Sequence, residues 1–188
     1  MSTFYQNRVV RYFSSIAVAN NFDVEIYVGK SQNIELKSKG DFLPRIITEV
    51  NTFGKLFIHM DEGFSNQCRA SIVINTHVLN SLYIRDSVKA SVLNLKGNNF
   101  IFEGADSSES VLTGAIDNFK VVAFGAAKLN AVELEAKSIS ISCNHTSLVH
   151  LNARDSLSGA AYGNCNLYYK GNPLVHIFNS GQSSISEF

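Results

Sequence analysis

Acidic side chains are the first candidates for chemistry in this sequence, because glycoside hydrolysis uses a pair of carboxylates. Glu103, Asp106 and Glu109 cluster in the middle of the chain. The two carboxylates of such a pair must lie about 5–9 Å apart across the sugar, and chain spacing does not establish that distance. Glu133 and Glu135 alternate with apolar residues, which is typical of a solvent-facing strand. We predict no catalytic residue, and a carbohydrate-active enzyme is the least favoured hypothesis.

Cysteine and histidine side chains could hold a metal, and Cys143, His145 and Cys165 come closest to such a set. They form neither a CxxC nor an HxxxH motif. In the repeat described below, Cys143 lies two residues before one corner and Cys165 two residues after the next, so we expect their side chains not to stack. We therefore predict no metal site and no cofactor. With Cys68 there are three cysteines, interpreted as buried or half-buried free thiols, although one internal disulfide stays possible.

Aromatic residues recur through the second half of the chain and could bind sugar rings if they were exposed. We interpret most of them as part of the interior. Tyr168 and Tyr169 are the candidate binding residues, because adjacent residues of a strand face opposite ways and one of the two must point outward.

Composition excludes several classes of protein. The 188 residues carry 16 Lys+Arg and 16 Asp+Glu, so a net charge of zero predicts no attraction to nucleic acid. Apolar residues make up 45%, which is too many for a disordered chain. We expect no transmembrane segment, since the longest apolar runs are far too short to cross a bilayer. The run Ile16–Ala19 is also too short for a signal-peptide core.

A repeat organises the second half of the chain. Turn-like residues recur at spacings of 18–20 residues, each followed by small or polar residues and preceded by a short apolar run. One repeat is long enough for two or three short strands and tight corners, so stacked repeats predict a right-handed parallel β-helix with about six coils. A β-sandwich is the structural alternative. The corners are Asp86, Asp106, Gly125, His145, Gly163 and Gly181.

The first half also reads as strands but shows no such period. Residues 22–28 alternate between apolar and polar side chains over seven positions, as in a half-buried strand. We expect this N-terminal β-rich section, residues 13–78, to cap the coils of residues 79–188. No Pro- or Gly-rich linker separates the two sections, so we predict one domain over residues 1–188.

Several segments resemble the head GIN domain family of putative auto-transporter adhesins, over roughly residues 13–185. The opening segments of residues 13–18 and 22–26 resemble the family pattern, as do residues 33–36, 43–50 and 54–58. The corner Gly125-Ala126-Ala127 is similar to the family's recurrent Gly-Ala corner, and residues 169–173 and 180–185 are similar to its closing segment. Asp86, Asp106 and His145 depart from the glycine corners, but Asp and His tolerate left-handed backbone geometry better than most residues.

The resemblance implies an exported protein located in the periplasm, on the outer membrane surface or outside the cell. The leading hypothesis is a non-enzymatic binding or scaffold domain that recognises a glycan or a surface protein. The second is a self-assembling structural protein, a homo-oligomer formed through the C-terminal coil edge near Ile185. A carbohydrate-active enzyme using Glu103, Asp106 or Glu109 is the third.

Overall fold

A computed structural model describes residues 3–39, 42–63 and 69–188, so Cys68 lies outside the described residues. The described chain forms strands and one short 3₁₀ turn at Leu43–Arg45. The strands are β1 Thr3–Arg8, β2 Ser15–Val18, β3 Phe22–Val28, β4 Asn33–Lys39, β5 Ile46–Val50, β6 Lys55–Met60, β7 Ala70–Thr76, β8 Ser81–Ile84, β9 Lys89–Gly104, β10 Glu109–Ala123, β11 Lys128–Cys143, β12 Leu148–Ala161, β13 Asn166–Lys170, β14 Leu174–Asn179 and β15 Ser184–Glu187.

Parallel pairing stacks most of these strands into a solenoid with two faces. Face one is the strand series β1-β4-β7-β3-β9-β10-β11-β12-β13-β15. Face two is the series β5-β6-β2-β8-β9-β10-β11-β12-β14. Strands β9 to β12 belong to both faces, since their first halves pair on face one and their second halves on face two. The predicted all-β parallel solenoid is confirmed.

The corners between the faces are stacked left-handed residues. Asp86, Asp106 and His145 have φ angles of 61°, 57° and 59°, and glycine occupies the other predicted corners. The amide that follows each corner donates a hydrogen bond to the corner carbonyl of the preceding coil, as from Ser107 to Asp86 at 3.0 Å. The solenoid has about five turns rather than the predicted six, because each complete turn lies between two of the six corners.

The stack continues into the N-terminal section, which supplies a corner that the sequence period does not reveal. Asn20 has a φ of 78°, and its carbonyl accepts a 3.0 Å hydrogen bond from the amide of Ser87. Strand β2 pairs in parallel with β8, and β3 pairs with β9, so this coil lies directly against the coil of Asp86. The chain from β4 to β7 intervenes between these two spatial neighbours.

Antiparallel strands cover the N-terminal end of the stack. On face one β4 pairs antiparallel with β7, and β1 pairs antiparallel with β4. On face two β5 pairs antiparallel with β6. The reversal of direction closes the series of parallel coils at this end.

The core lies between the two faces and is built by alternation along each strand. In β3, for example, Phe22, Val24 and Ile26 are buried and the residues between them face outward. Phe100 and Phe119 stack inside with their ring centroids 5.7 Å apart. The interpretation of the aromatic residues as interior holds for these rings but not for Phe124, Tyr162 and Phe178, which are exposed on or beside face two.

The structure corrects the prediction for two of the cysteines. Cys143 and Cys165 are both fully buried and form a disulfide, with their Cα atoms 6.2 Å apart. The expectation that they would not stack is wrong because the chain reverses at each corner, so residues on both sides of a corner point into the same interior. Stacking then places Cys143, two residues before corner His145, beside Cys165, two residues after corner Gly163 in the next coil.

Candidate functional site

A shallow groove of about 590 Å³ runs across the strands of face one, parallel to the solenoid axis. Its side chains come from positions that repeat relative to the corners. Three residues after successive corners lie Asp23, Lys89, Glu109 and Lys128, which pair in register on adjacent strands. We call this line of alternating charges the charged row.

Each carboxylate of the charged row is held by a cation. The Lys89 Nζ lies 3.0 Å from one Glu109 oxygen, and the Lys128 Nζ lies 3.2 Å from the other. The hydrogen bond from Lys89 has the largest effect and that from Lys128 the next largest, and together they lower the pKa of Glu109 below its usual range. At the far end the Arg69 Nε donates to Asp23 at 2.6 Å, and this bond is the main cause of the lowered Asp23 pKa.

Replacing Glu109 by glutamine tests the charged row. Because the Glu109 pKa is lower in the folded state, its carboxylate stabilises the fold above the unfolded-state pKa, and this contribution is lost as the pH falls through the folded-state pKa. At pH 7 the variant should lose less than about 1 kcal/mol of unfolding free energy, because these exposed ion pairs are screened by water. The difference from wild type should narrow as the pH falls below the ordinary pKa of 4.5.

Chemical denaturation of both proteins between pH 3 and pH 7 measures this difference. Glu62→Gln is the control, since Glu62 is exposed and no ion pair is seen for it within the part of the chain that the structure describes. A difference between Glu109→Gln and wild type that stays constant down to pH 3 would contradict the assigned role of Glu109.

Aromatic rings extend the groove toward the C-terminal coils. The rings of His150 and Tyr168 stack with centroids 4.9 Å apart and planes inclined by 17°. Phe188 meets His150 edge-on at 5.7 Å. His150 and Tyr168 each lie five residues after a corner and pair in register on face one. Of the two tyrosines proposed from the sequence, Tyr168 joins this outer stack and Tyr169 packs against the core.

Polar side chains complete the groove along the same line. Glu25, Ser91 and Asn130 also lie five residues after their corners and line its wall, with Val111 between the last two. Amide, hydroxyl and carboxylate groups can hydrogen-bond the hydroxyls of a sugar, and flat rings can stack on its apolar face. The arrangement suits an extended polar molecule lying along the solenoid axis.

The three carboxylates considered for hydrolysis are not brought together. Glu103 lies on face two, where it pairs in register with Tyr83. Glu109 lies on face one, and Asp106 occupies the corner between them, where its carboxylate accepts a 3.2 Å hydrogen bond from the Asp86 amide. The chain thus turns from one face to the other between Glu103 and Glu109.

Within residues 3–39, 42–63 and 69–188, no group of three or more His, Cys, Asp or Glu side chains is placed to hold a metal ion. The sulfurs of Cys143 and Cys165 are bonded to each other, so neither can act as a thiolate ligand of a metal beside His145.

The sequence reasoning missed the charged row, although the signal was present. Lys89, Glu109 and Lys128 all lie three residues after a predicted corner, and parallel in-register coils place equivalent positions side by side. Counting from the corners would have found these three. Asp23 could not be found in that way, because its corner, Asn20, lies outside the regular period.

Comparison with known proteins gives a family match and structural neighbours. The family profile described as "Putative auto-transporter adhesin, head GIN domain" matches residues 12–173. No curated protein is significantly similar in sequence to this chain. Within the described ranges, no helix has the length and hydropathy needed to cross a membrane.

Solved structures share the fold at low sequence identity. A putative adhesin from Bacteroides fragilis aligns with a TM-score of 0.79 and 18% identity, over 100% of this chain and 97% of that one. A putative adhesin from Parabacteroides merdae aligns at 0.62 and 12%, over 99% and 96% of the two chains. A structure described as a putative lipid binding protein from Parabacteroides distasonis aligns at 0.56 and 16%, over 99% and 96%.

Proposed function

This chain belongs to the head GIN domain family of putative auto-transporter adhesins, and from that premise we propose that it recognises a glycan through the groove of face one. The role is adhesin-like and non-enzymatic. The observation that carries the proposal is the stacked pair of His150 and Tyr168 beside a line of polar side chains in register. A surface protein is the other partner class consistent with an adhesin-like role.

The charges of the groove favour a neutral glycan. Lys89 and Lys128 are both bound to Glu109, and Asp23 is bound to Arg69. A ligand that carried a negative charge would gain little from these lysines, because Glu109 already balances part of their charge. A neutral sugar can instead hydrogen-bond to the outer lone pairs and protons of the intact pairs.

The groove also supports treating residues 1–188 as one functional unit. The N-terminal section of residues 13–78 supplies Asp23 and Glu25, and the coils of residues 79–188 supply Lys89 and the rest of the groove. Separating the two sections at residue 79 would divide the proposed binding surface.

We place the protein outside the cytoplasm, in the periplasm, on the outer membrane surface or secreted. The family name supports a cell-surface or extracellular role. The Cys143–Cys165 disulfide supports the same location, because disulfides persist in oxidising compartments and are rare in the cytosol.

The deciding experiment is a glycan array with the purified protein, with release of reducing ends assayed on the bound sugars. Tyr168→Ala should weaken binding to a retained neutral glycan about tenfold, because loss of one stacking platform costs on the order of 1.4 kcal/mol. Titration calorimetry measures this change.

Phe178→Ala is the matched control for Tyr168→Ala. Phe178 is an aromatic residue that is 63% exposed, contacts the neighbouring ring of Tyr162, and lies on face two. Its loss should leave glycan affinity unchanged. Equal weakening by both variants would refute recognition through face one, and release of reducing ends would refute the non-enzymatic role.

A second candidate function is self-assembly, favoured by the exposed apolar side chains of β14. Leu174 and Phe178 are 67% and 63% exposed, and within the described residues β14 pairs only with β12. Sedimentation velocity over a hundredfold concentration range distinguishes the two candidates, since a homo-oligomer joined through this edge would grow with concentration.

A further inference from the structure

Three loops meet at the N-terminal end of the solenoid, on the edge opposite the corner of Asn20. Residues 9–12 lead into β2, residues 29–32 follow β3, and residues 51–54 lead into β6. Strands β2 and β6 begin side by side, because they pair in parallel and in register. Strand β3 ends at the same edge, because the chain reverses between β2 and β3 at Asn20. We call these three loops together the loop apex.

Hydrogen bonds between the three loops hold the loop apex in one arrangement. The Gln32 Nε2 donates to the Arg11 carbonyl at 3.1 Å. The Ser14 amide donates to the Gly54 carbonyl at 3.1 Å. The Arg11 guanidinium donates to the Val50 carbonyl at 2.6 Å. The first loop is thus bonded to the second and to the hairpin that forms the third, so the side chains of all three project from one base.

Three large apolar side chains stand on the loop apex. Val9 is fully exposed, Phe53 is 91% exposed and Tyr12 is 59% exposed. The backbones that carry the two rings approach each other, since a Cβ on Gly54 would lie 3.9 Å from the Tyr12 carbonyl oxygen. The Asn51 side-chain oxygen accepts a 2.9 Å hydrogen bond from the Phe53 amide, which fixes the turn beneath that ring. Neighbouring exposed apolar groups of this kind mark a site of protein or membrane interaction.

The charge of the loop apex is positive. Its three loops contain no Asp or Glu, whereas they carry Arg11 and Lys30, and Lys55 directly follows the third loop. Within the part of the chain that the structure describes, none of these three cations forms an ion pair. Lys30 lies 4.2 Å from the centre of the Tyr27 ring, and Lys55 lies 3.7 Å from that of Tyr83. These cation–π contacts leave both positive charges in place.

Three acidic residues lie on the strands behind the loop apex. Glu25, Glu35 and Glu49 are in β3, β4 and β5, at least two residues away from the loops along the chain. Glu25 also accepts a 3.1 Å hydrogen bond from the Tyr27 hydroxyl. The charged side chains of the loops themselves are therefore all cations.

Protruding side chains of this chemistry suit a lipid surface better than a folded protein. A protein partner would need a packed, complementary cavity for each exposed side chain, whereas lipid headgroups rearrange around it. Aromatic rings with one polar edge, such as that of Tyr12, favour the boundary between membrane and water. Each Lys or Arg near an anionic lipid surface contributes about 1 kcal/mol of binding free energy. Three cations beside three apolar side chains thus match an anionic bilayer in charge and in shape.

We propose that the loop apex binds the surface of an anionic lipid bilayer. Val9, Tyr12 and Phe53 enter the boundary between the headgroups and the acyl chains. Arg11 and Lys30 contact the lipid phosphates, together with Lys55. This contact is separate from the groove of face one, so glycan binding and membrane binding do not compete for the same side chains.

Cosedimentation of the full chain with lipid vesicles tests the proposal. Vesicles of an equimolar mixture of phosphatidylglycerol and phosphatidylcholine are compared with vesicles of phosphatidylcholine alone. We expect the protein to bind the anionic vesicles at least about tenfold more tightly, because three cations contribute to that binding. The difference should shrink as the salt concentration rises, since salt screens the attraction.

Two variants locate the membrane contact. Phe53→Ser should weaken binding to the anionic vesicles about tenfold, because it removes an apolar group from the lipid boundary. Lys30→Gln should weaken it about fivefold, the equivalent of one cation. Phe178→Ser and Lys120→Gln are the matched controls, since both residues are exposed on face two, away from the apex. Both controls should bind as wild type does.

Absence of binding to the anionic vesicles would overturn the proposal in favour of a protein partner for the loop apex. Equal binding to the two kinds of vesicle would also overturn it, as would equal weakening by Phe53→Ser and Phe178→Ser. All four substitutions alter exposed side chains, so each variant should unfold at the wild-type temperature. Phe53→Ser should leave glycan affinity unchanged, which keeps this test independent of the glycan array.

Discussion

Replacing Gly159 by alanine should destabilise the protein by about 2–5 kcal/mol, because two costs add at this position. Gly159 has a φ of +135°, which L-residues rarely adopt, and such backbone geometry costs about 1–2 kcal/mol. A Cβ there would also lie 1.9 Å from the carbonyl oxygen of Ile141 in the adjacent coil. Relieving such overpacking costs about 1–3 kcal/mol more. Thermal unfolding should show a fall of roughly 10 °C in Tm.

Gly29→Ala separates the steric cost from the conformational cost. Gly29 also has a positive φ, of +86°, but a Cβ there would have no atom within 4 Å. This variant should lose only about 1 kcal/mol, the part due to backbone geometry. Equal destabilisation by the two variants would mean that the coils separate freely at Gly159 and that their close contact is not needed for the fold.

Loss of the Cys143–Cys165 disulfide should cost about 3 kcal/mol of unfolding free energy. The bond joins residues 22 positions apart. Closing a loop of this size removes conformational entropy from the unfolded chain and so raises its free energy by about that amount. The double variant Cys143→Ala/Cys165→Ala measures the effect by chemical denaturation. Alanine suits these sites, since Ala123 and Ala127 occupy the equivalent positions two residues before and two residues after corner Gly125.

A reductant provides the control for the cysteine variant. Wild-type protein in excess dithiothreitol should become about as unstable as the double variant, and the variant itself should not respond. Thiol titration of the denatured, unreduced wild-type monomer should find one free thiol, that of Cys68, because two of its three cysteines are bonded. Three free thiols, or a variant as stable as the oxidised wild type, would contradict the disulfide.

The sequence alone determined the architecture of the second half. Corners recur every 18–20 residues there, and consecutive coils are also consecutive in the chain, so spacing translates directly into stacking. Asp86, Asp106 and His145 could be recognised as corners because Asp and His tolerate the left-handed geometry that glycine adopts elsewhere. Alternation within strands such as β3 identified which residues enter the core. The same alternation showed that only one of Tyr168 and Tyr169 joins the outer surface.

Only the tertiary structure decided which distant residues meet. Asn20 and Asp86 are 66 residues apart, yet the Asn20 amide donates a hydrogen bond to the Asp86 carboxylate at 2.6 Å. No period in the sequence could reveal that contact, since the chain from β4 to β7 intervenes. The place of Ala17 depends on the same arrangement, because Ala17 comes to lie between Phe57 and Tyr83 only when β2 pairs between β6 and β8.

The disulfide shows most plainly why the sequence alone could not reveal these contacts. Chain spacing fixes where Cys143 and Cys165 stand relative to their corners, but it does not fix which way the backbone turns at each corner. That turn follows from the packing of both faces around one core, and it directs both sulfurs inward into adjacent coils. The sequence thus determined the repeat and which side chains face inward or outward. The packing of coil against coil determined which residues of different coils become neighbours.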